Sequence, residues 1–239
     1  SGRVTGIATG DMGIDKEGNQ KGTYTPGMDI LAKQTIFAEG ARGHLGKKLI
    51  KEFNLDEGKT PQHFAIGFKE IWEVDNNKHS PGDVVHTMGW PLTGETSGGG
   101  FLYHFDNNRI AVGLIVDLNY SNTHHSPFQE FQQYKQHPAI KQYLESGKRV
   151  SYGARAITKG GINSLVKMEF NGGMIIGCDA GTLNPSKIKG SHCALQSGML
   201  AAEYVNKLLA EEICDFDDLF KNSGLYKELY ASRNFSSAM

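Results

Sequence analysis

Apolar and polar residues alternate with a period of two over several short stretches, which predicts strands. Arg3 to Thr9 (RVTGIAT) and Ala32 to Ala38 (AKQTIFA) read this way, separated by a turn-rich region around Asp15-Lys16-Glu17-Gly18-Asn19. Gly40 to Gly46 then leads into a short helix over Lys47 to Phe53. Four strands follow close together: Phe64 to Val74, Asp83 to Trp90, Phe101 to Phe105 and Arg109 to Leu118. Asp106-Asn107-Asn108 is a tight hairpin turn between the last two. The block predicts an antiparallel sheet with one wet face.

Ser126-Pro127-Phe128-Gln129 carries the signature of a helix start, with serine as N-cap, proline at N1 and glutamine at N3. That helix is expected to cover the sheet with Phe128, Phe131 and Lys135 on one side. Pro138 opens a second short helix ending near Ser146-Gly147. Further strands are expected over Arg149 to Ile157, Leu165 to Phe170 and Met174 to Gly177. From Gly190 to Ile213 the period becomes helical, and Leu195, Gly198, Met199, Ala202, Val205 and Leu209 form one apolar stripe. Both ends look cut: Ser1-Gly2 precedes a strand already in mid-fold, and Ser236 to Met239 trail off after a helix.

Composition narrows the picture. The 239 residues include 25 basic and 26 acidic side chains, a formal charge of −1, so the concentrated basic surface that nucleic acid requires is lacking. The 30 glycines are about twice the usual share. The longest apolar runs, such as Ile110 to Val116, are too short to cross a bilayer. Cys178, Cys193 and Cys214 match no disulfide framework and no zinc or iron–sulfur spacing, and read as reduced thiols. The nine histidines are scattered and no metal site is read from them.

Three stretches could carry chemistry. Met174 to His192 (MIIGCDAGTLNPSKIKGSH) combines a buried strand, a glycine-rich turn holding Asp179, and a helix start. Small residues let a ligand approach the backbone, and the helix N-terminus presents unpaired N–H groups to an anion. Asp179 is placed to accept bonds from sugar or ribityl hydroxyls; the alternative is an ordinary strand-to-helix connection with Ser191 as N-cap. In Ile36 to Leu45 (IFAEGARGHL) a strand ends in an acidic-glycine turn before a basic helix, which suits Arg42 near a nucleotide's phosphates or a plain surface turn. Gly94-Glu95-Thr96-Ser97-Gly98-Gly99-Gly100 exposes bare N–H and C=O groups beside an apolar strand, or is a flexible hairpin loop. No G-x-G-x-x-G follows a strand, and no G-x-S-x-G or G-K-[ST] phosphate loop is present.

The strings GWPLTGETSGGGFLYHF (Gly89 to Phe105), SPFQEFQQYKQHPAI (Ser126 to Ile140), YGARAI (Tyr152 to Ile157) and GCDAGTLNPSKIKGSHCALQSGMLAAE (Gly177 to Glu203) resemble the electron transfer flavoprotein–ubiquinone oxidoreductase family. IFAEGARGHLGKKL (Ile36 to Leu49) and SGLYKELYASRN (Ser223 to Asn234) match as well, so the resemblance covers essentially the whole chain. It implies an α+β fold: a mostly antiparallel quinone domain covered by helices, attached to an incomplete FAD-binding α/β domain of the aromatic-hydroxylase or geranylgeranyl-reductase type. Residues 1–60 and 166–239 would be parts of the FAD-binding domain, and 61–165 the ubiquinone-binding domain.

The resemblance further implies electron transfer from reduced electron transfer flavoprotein to ubiquinone, through FAD and a [4Fe-4S] cluster whose ligands are not in this chain. The parent would sit as a monotopic protein on an inner membrane, held there by segments outside this chain, with this part soluble. The quinone contact carries over to the backbone of Gly98 and Gly99. Here Ser97 replaces the family's usual aromatic before the pair, and Gly100 its usual serine after it. FAD contacts carry over to the turn Gly177, Asp179, Ala180 and Gly181, to the helix start at Gly190, and to Glu39, Gly40 and Arg42. Glu39-Gly40 resembles the Asp-Gly turn of aromatic hydroxylases. No residue is implied as a covalent catalyst, because quinone reduction needs distance, orientation and protons. The alternatives are a related FAD-dependent reductase of the geranylgeranyl-reductase type, or a quinone- or lipid-binding module that catalyses nothing as isolated.

Overall fold

A computed structural model describes residues 2–92, 94 and 96–235. Ser1, Glu95 and Ser236 to Met239, all named above, lie outside the described residues. The chain divides into two units, residues 1–60 with 161–239, and residues 61–160.

The first leg of the discontinuous unit is β1 (Gly6–Ala8), β2 (Met12–Ile14), β3 (Gln20–Thr25), β4 (Asp29–Leu31), β5 (Thr35–Phe37) and α1 (His44–Glu52). Strand β1 pairs with β4 and β2 with β3, both antiparallel. The expected turn is there: Asp15 Oδ1 accepts the Glu17 and Asn19 amides at 3.0 and 2.7 Å. The strands flanking that turn were not expected, because QKGTYT has too few apolar residues to alternate; the turn and backbone pairing set them instead. The strand read over Arg3 to Thr9 shrinks to the three residues that find a partner.

Residues 61–160 contribute β6 (Phe64–Glu73), β7 (Val84–Met88), β8 (Gly98–Phe105), β9 (Arg109–Asp117), α2 (Pro127–Gln136), α3 (Pro138–Leu144) and β10 (Lys148–Thr158). The strands form one antiparallel sheet in the order β10-β6-β9-β8-β7. Asn107 and Asn108, at φ 60° and 53°, make the β8–β9 turn, which requires positive φ at both centres. Alternation sends Leu102, Ile110, Val112, Leu114 and Val116 to one face, where they pack with Phe131, Tyr134, Ile140 and Leu144 of the helices. Helix α2 starts as expected, Ser126 Oγ accepting the Gln129 amide with Pro127 in the first turn. Phe131 and Lys135 are buried, but Phe128 is 51% exposed and only its ring edge meets Phe68.

The three glycines expected in a loop instead open strand β8. Each is a close-approach site. A Cβ on Gly98 would strike the Ile115 carbonyl and Leu92, one on Gly99 would lie 2.6 Å from the Thr87 carbonyl oxygen, and one on Gly100 would enter the Tyr134 ring. Neighbours fill the space that side chains would take, which removes the freedom that a glycine run suggests in sequence.

The chain returns to the discontinuous unit with β11 (Glu169–Phe170), β12 (Gly173–Ile175), α4 (Gly177–Ala180), α5 (Ser191–Leu209), α6 (Phe216–Lys221) and α7 (Gly224–Ala231). Strand β12 lies parallel to β5, with Gly173 opposite Thr35, and antiparallel to β11. Of the strand expected over Leu165 to Phe170 only Glu169–Phe170 pairs; Leu165, Val166 and Met168 are buried in the core without a ladder. Phe37, Phe170, Ile175, Ala201, Phe216, Leu225 and Leu229 belong to that core. The stripe on α5 is a correction. Leu195 and Met199 are 70% and 72% exposed, whereas Cys193, Ser197, Ala201 and Tyr204 face inward. Small residues let α5 approach the β12 end closely, with Ser197 Oγ accepting the Gly177 amide at 3.0 Å.

Candidate functional site

The parallel strands β5 and β12 end side by side, Ile175 opposite Phe37, with the Ile176 amide donating to the Phe37 carbonyl at 2.9 Å. The carboxyl ends of parallel strands are where open α/β sheets place ligands. Both chains turn there through left-handed glycines: Gly40 (φ 94°) after β5, Gly177 (φ 63°) and Gly181 (φ 97°) around α4. Gly177 packs against Ala194 of α5, 3.5 Å from its own hypothetical Cβ. Gly190 is the N-cap of α5, so Ser191 is the first helical residue rather than the cap, and the cap residue has no side chain to bond the first-turn amides.

Two carboxylates converge on the start of α1. Glu39 Oε2 accepts the Leu45 and Gly46 amides at 2.9 and 2.8 Å, so Glu39 caps that helix. Asp179 Oδ1 accepts the Gly43 amide at 3.3 Å, while its buried Oδ2 has no hydrogen-bond partner among the described residues. A Cβ on Gly46 would lie 2.6 Å from that Oδ2, so only glycine admits the carboxylate. Burial pushes the Asp179 carboxyl above its usual range; the Glu39 and Gly43 amides pull it back, and the Glu39 charge adds to the rise. Arg42 is exposed in the turn before α1.

One polar cluster had no signal in the sequence. Glu228 Oε1 accepts from Asn184 Nδ2 (2.8 Å) and Lys187 Nζ (3.1 Å) and lies 2.9 Å from His192 Nε2. His192 foremost, with Asn184 and Lys187, overcomes partial burial and holds the Glu228 carboxyl at about 2. His192, Cys193 and Glu228 are ligand types within 4.8 Å of one another, but the Lys187 ammonium shares the same oxygen, which makes this an ion-pair network. Glu228 is 36 residues from His192. Only the packing of α7 joins them.

In the other unit, Gly98 sits opposite Val116, and Gly99 opposite Ile115 and Met88. The Asp117 amide donates to the Ser97 carbonyl at 2.9 Å. Antiparallel alternation therefore turns the Gly99 amide toward β9 and the backbone groups of Gly98 toward the β7 side, at the end of that strand. Gly99, Phe101 and Tyr103 share the sheet face opposite the helices. The Phe101 and Tyr103 rings stack at 4.7 Å, with Phe101 lying over Gly113.

Residues 64–157 match the sequence model of the family described as ETF-QO, ubiquinone-binding. An electron transfer flavoprotein–ubiquinone oxidoreductase of Pseudomonas aeruginosa is 61% identical over 246 residues, covering all of this chain and 45% of the relative. The chain belongs to the electron transfer flavoprotein–ubiquinone oxidoreductase family. The mitochondrial relative of Homo sapiens is 48% identical over 245 residues, covering 98% of this chain and 40% of its own length. The chain thus spans less than half of these relatives. Among solved structures, a geranylgeranyl bacteriochlorophyll reductase-like protein from Thermoplasma acidophilum is 16% identical with a TM-score of 0.67, covering 96% of this chain and 57% of that one. A flavoprotein/dehydrogenase from Cytophaga hutchinsonii is likewise 16% identical, at a TM-score of 0.57, covering 94% and 51%. These likenesses establish the α+β fold shared with such proteins. The ubiquinone-binding match falls within the 61–160 unit. Among the described residues no helix is long and apolar enough to cross a membrane.

Proposed function

We propose that this chain is the part of an electron transfer flavoprotein–ubiquinone oxidoreductase that carries the quinone site and a portion of the FAD site. The observation that carries the reading is the start of β8: Gly98 and Gly99 open a strand whose exposed face continues into stacked Phe101 and Tyr103, inside the segment matching the ubiquinone-binding family. The Gly98 backbone, turned to the end of β7, bonds a quinone carbonyl, and the apolar ring pair lines its path. Gly99, already aligned with Ile115, sets the close approach of the strands there.

The discontinuous unit is proposed as the FAD part, and its residues fit that group in specific ways. The first turn of α5 after Gly190 has no side-chain cap, so its amides are available to negative charge on a reduced flavin. Gly177, Ala180 and Gly181 form a buried turn of small residues that admits a cofactor against the backbone. Asp179 Oδ2, like Thr182 Oγ1 just after the turn, is a buried polar atom without a hydrogen-bond partner among the described residues, and it is proposed to accept a ribityl hydroxyl. Gly40 and the exposed Arg42 are the other contacts proposed there, while the Glu39 carboxylate acts through the start of α1. FAD supplies the two-electron chemistry when bound.

The whole parent is proposed to take electrons from reduced electron transfer flavoprotein and to reduce ubiquinone at an inner-membrane surface, with FAD and a [4Fe-4S] cluster as the groups that would carry them. A photoactivatable short-chain ubiquinone analogue tests the assignment on this chain. After irradiation, label is expected in the peptide containing Gly98 to Tyr103; label confined to residues 1–60 or 161–239 would overturn it.

A further inference from the structure

The quinone assignment leaves open how protons reach the reduced ring, and the face that carries Gly99 holds one hydrogen-bonded pair suited to the task. His86 Nε2 lies 2.7 Å from the Tyr103 hydroxyl, their rings edge to face at 5.5 Å. Tyr103 stacks on Phe101, and Phe101 is the next residue along the same face from Gly99. His86 stands opposite Phe101 rather than Tyr103, so the hydroxyl it holds is drawn back along the face toward the glycines, where a flat ring with one carbonyl at the Gly98–Gly99 end presents its opposite carbonyl. His86 lies on β7, at the edge of the sheet, and is exposed.

We infer that Tyr103 delivers a proton to the quinone oxygen facing it and that His86, reached by solvent at the sheet edge, restores that proton. The inference rests on the quinone reading above. A quinone taking two electrons from a reduced flavin needs two protons to become the quinol. As the C=O π bond at the far carbonyl opens, its oxygen takes the phenolic proton of Tyr103. The phenolate then takes the Nε2 proton of a His86 imidazolium, leaving a neutral imidazole protonated at Nδ1, and solvent returns a proton to Nε2 for the next turnover. The carbonyl at the glycine end takes its proton from solvent. Histidine is the side chain that exchanges protons near neutral pH, which suits it to the second position of such a relay.

The surroundings leave this pair as the donor on its part of the face. Across the strands Tyr103 is flanked by Val84 and Ala111, and His86 by Phe101. The charged groups on the same face stand on other strands or at its ends: Lys69 opposite Gly113 and so level with Phe101 two strands away, Arg155 opposite Gly67, Asp117 beside Ser97 and ion-paired with Lys159 at 2.6 Å, and Lys148 opposite Glu73, which is itself ion-paired with Arg109 at 3.1 Å. Helices α2 and α3 pack on the opposite face and add none. Tyr103 would touch the substrate; His86 acts through it and is a positioning and relay residue.

The test uses the full-length parent enzyme with a short-chain ubiquinone, together with amide NMR of this chain. Tyr103→Phe is expected to lower kcat for quinone reduction by about a hundredfold, the low end of what a positioned general acid contributes, with KM nearly unchanged. Flavin reduction by the protein donor should be unaffected. His86→Gln should reduce kcat and flatten its pH profile, yet add nothing in a Tyr103→Phe background. Wild-type kcat in Tyr103→Phe, a loss confined to KM, or losses that multiply in the double variant would each overturn the relay. The NMR arm separates the two ideas. If wild-type chain shows no saturable shifts near Gly98 the quinone reading fails, whereas quinone-induced shifts retained in Tyr103→Phe, together with undiminished turnover, sink the relay alone.

Discussion

Lys135→Met isolates the charge cluster that fastens α2 to the sheet. Glu70 sits on the covered face of β6 with its side chain 3% exposed, and the Lys135 ammonium, 9% exposed, bonds both its oxygens at 3.0 and 2.8 Å. Trp72 Nε1 donates at 2.9 Å and Arg149, itself half exposed, at 3.2 Å. Burial pushes the Glu70 carboxyl up, but Lys135, Trp72 and Arg149 together pull it below its usual range. Removing the ammonium leaves a buried carboxylate with two of its three partners. Breaking a buried pair costs about 3–5 kcal/mol, and the surviving Arg149 bond puts this case at about 3, a large share of a typical 5–15 kcal/mol stability. Trp72 and Trp90 are the chain's two tryptophans and both lie in residues 61–160, so fluorescence in a urea titration reports this unit alone. The double variant Glu70→Leu/Lys135→Met should recover most of the loss, because no charge is then stranded. The pH dependence follows in sign. In the wild type the carboxyl lies below its unfolded value of 4.5, so its contribution is full above that pH and lost as pH falls further. In Lys135→Met the carboxyl is raised instead, and the deficit should shrink on acidification as it protonates. A single-variant cost under about 1 kcal/mol, or a double variant as unstable as the single, would refute the reasoning.

Gly98→Ala should destabilise the 61–160 unit by about 1–3 kcal/mol through its clash with the Ile115 carbonyl and Leu92, whereas Gly153→Ala, where a Cβ meets nothing within 4 Å, should be neutral or stabilising by up to about 1 kcal/mol. Equal urea midpoints for the two would show that the glycine run is not packed as described. Glu228, held at about 2 against an ordinary 4.5, contributes stability that is complete above pH 4.5 and disappears as pH falls toward 2. Glu228→Gln should therefore lose stability at neutral pH and show a flatter acid denaturation profile over that window, read by far-ultraviolet circular dichroism; parallel profiles would contradict the network.

The parts of the fold legible in the sequence are those set by neighbours a few residues apart. Ser126 to Gln129 announce a helix start because the cap bond spans three residues, and Asn107-Asn108 announce a hairpin because few residues accept positive φ. The parallel pairing of β5 with β12 joins segments separated by the whole 61–160 unit, and no local pattern encodes it. The α5 stripe shows the limit of periodicity. Its apolar positions are real, yet the buried face is the small one, Cys193, Ser197 and Ala201, because close approach to the β12 end selects for size. The glycine run was legible as backbone available for close approach, but the sequence could not tell whether protein or ligand comes close. For Gly100 it is the Tyr134 ring. Glu228 was hidden because its partners, Asn184, Lys187 and His192, lie 36 to 44 residues away and only tertiary packing brings them to it, whereas Glu39, a candidate in the sequence, bonds α1 amides just six and seven residues on.

The central claim, a quinone site at the start of β8, is tested most directly by titrating this chain with a short-chain ubiquinone analogue and following its backbone amides by NMR. Saturable shifts centred on Gly98, Gly99 and Phe101, fading along β6 and β10, are the result expected. A folded sample in which those amides do not move, or in which the shifts cluster in residues 1–60 and 161–239, would contradict it.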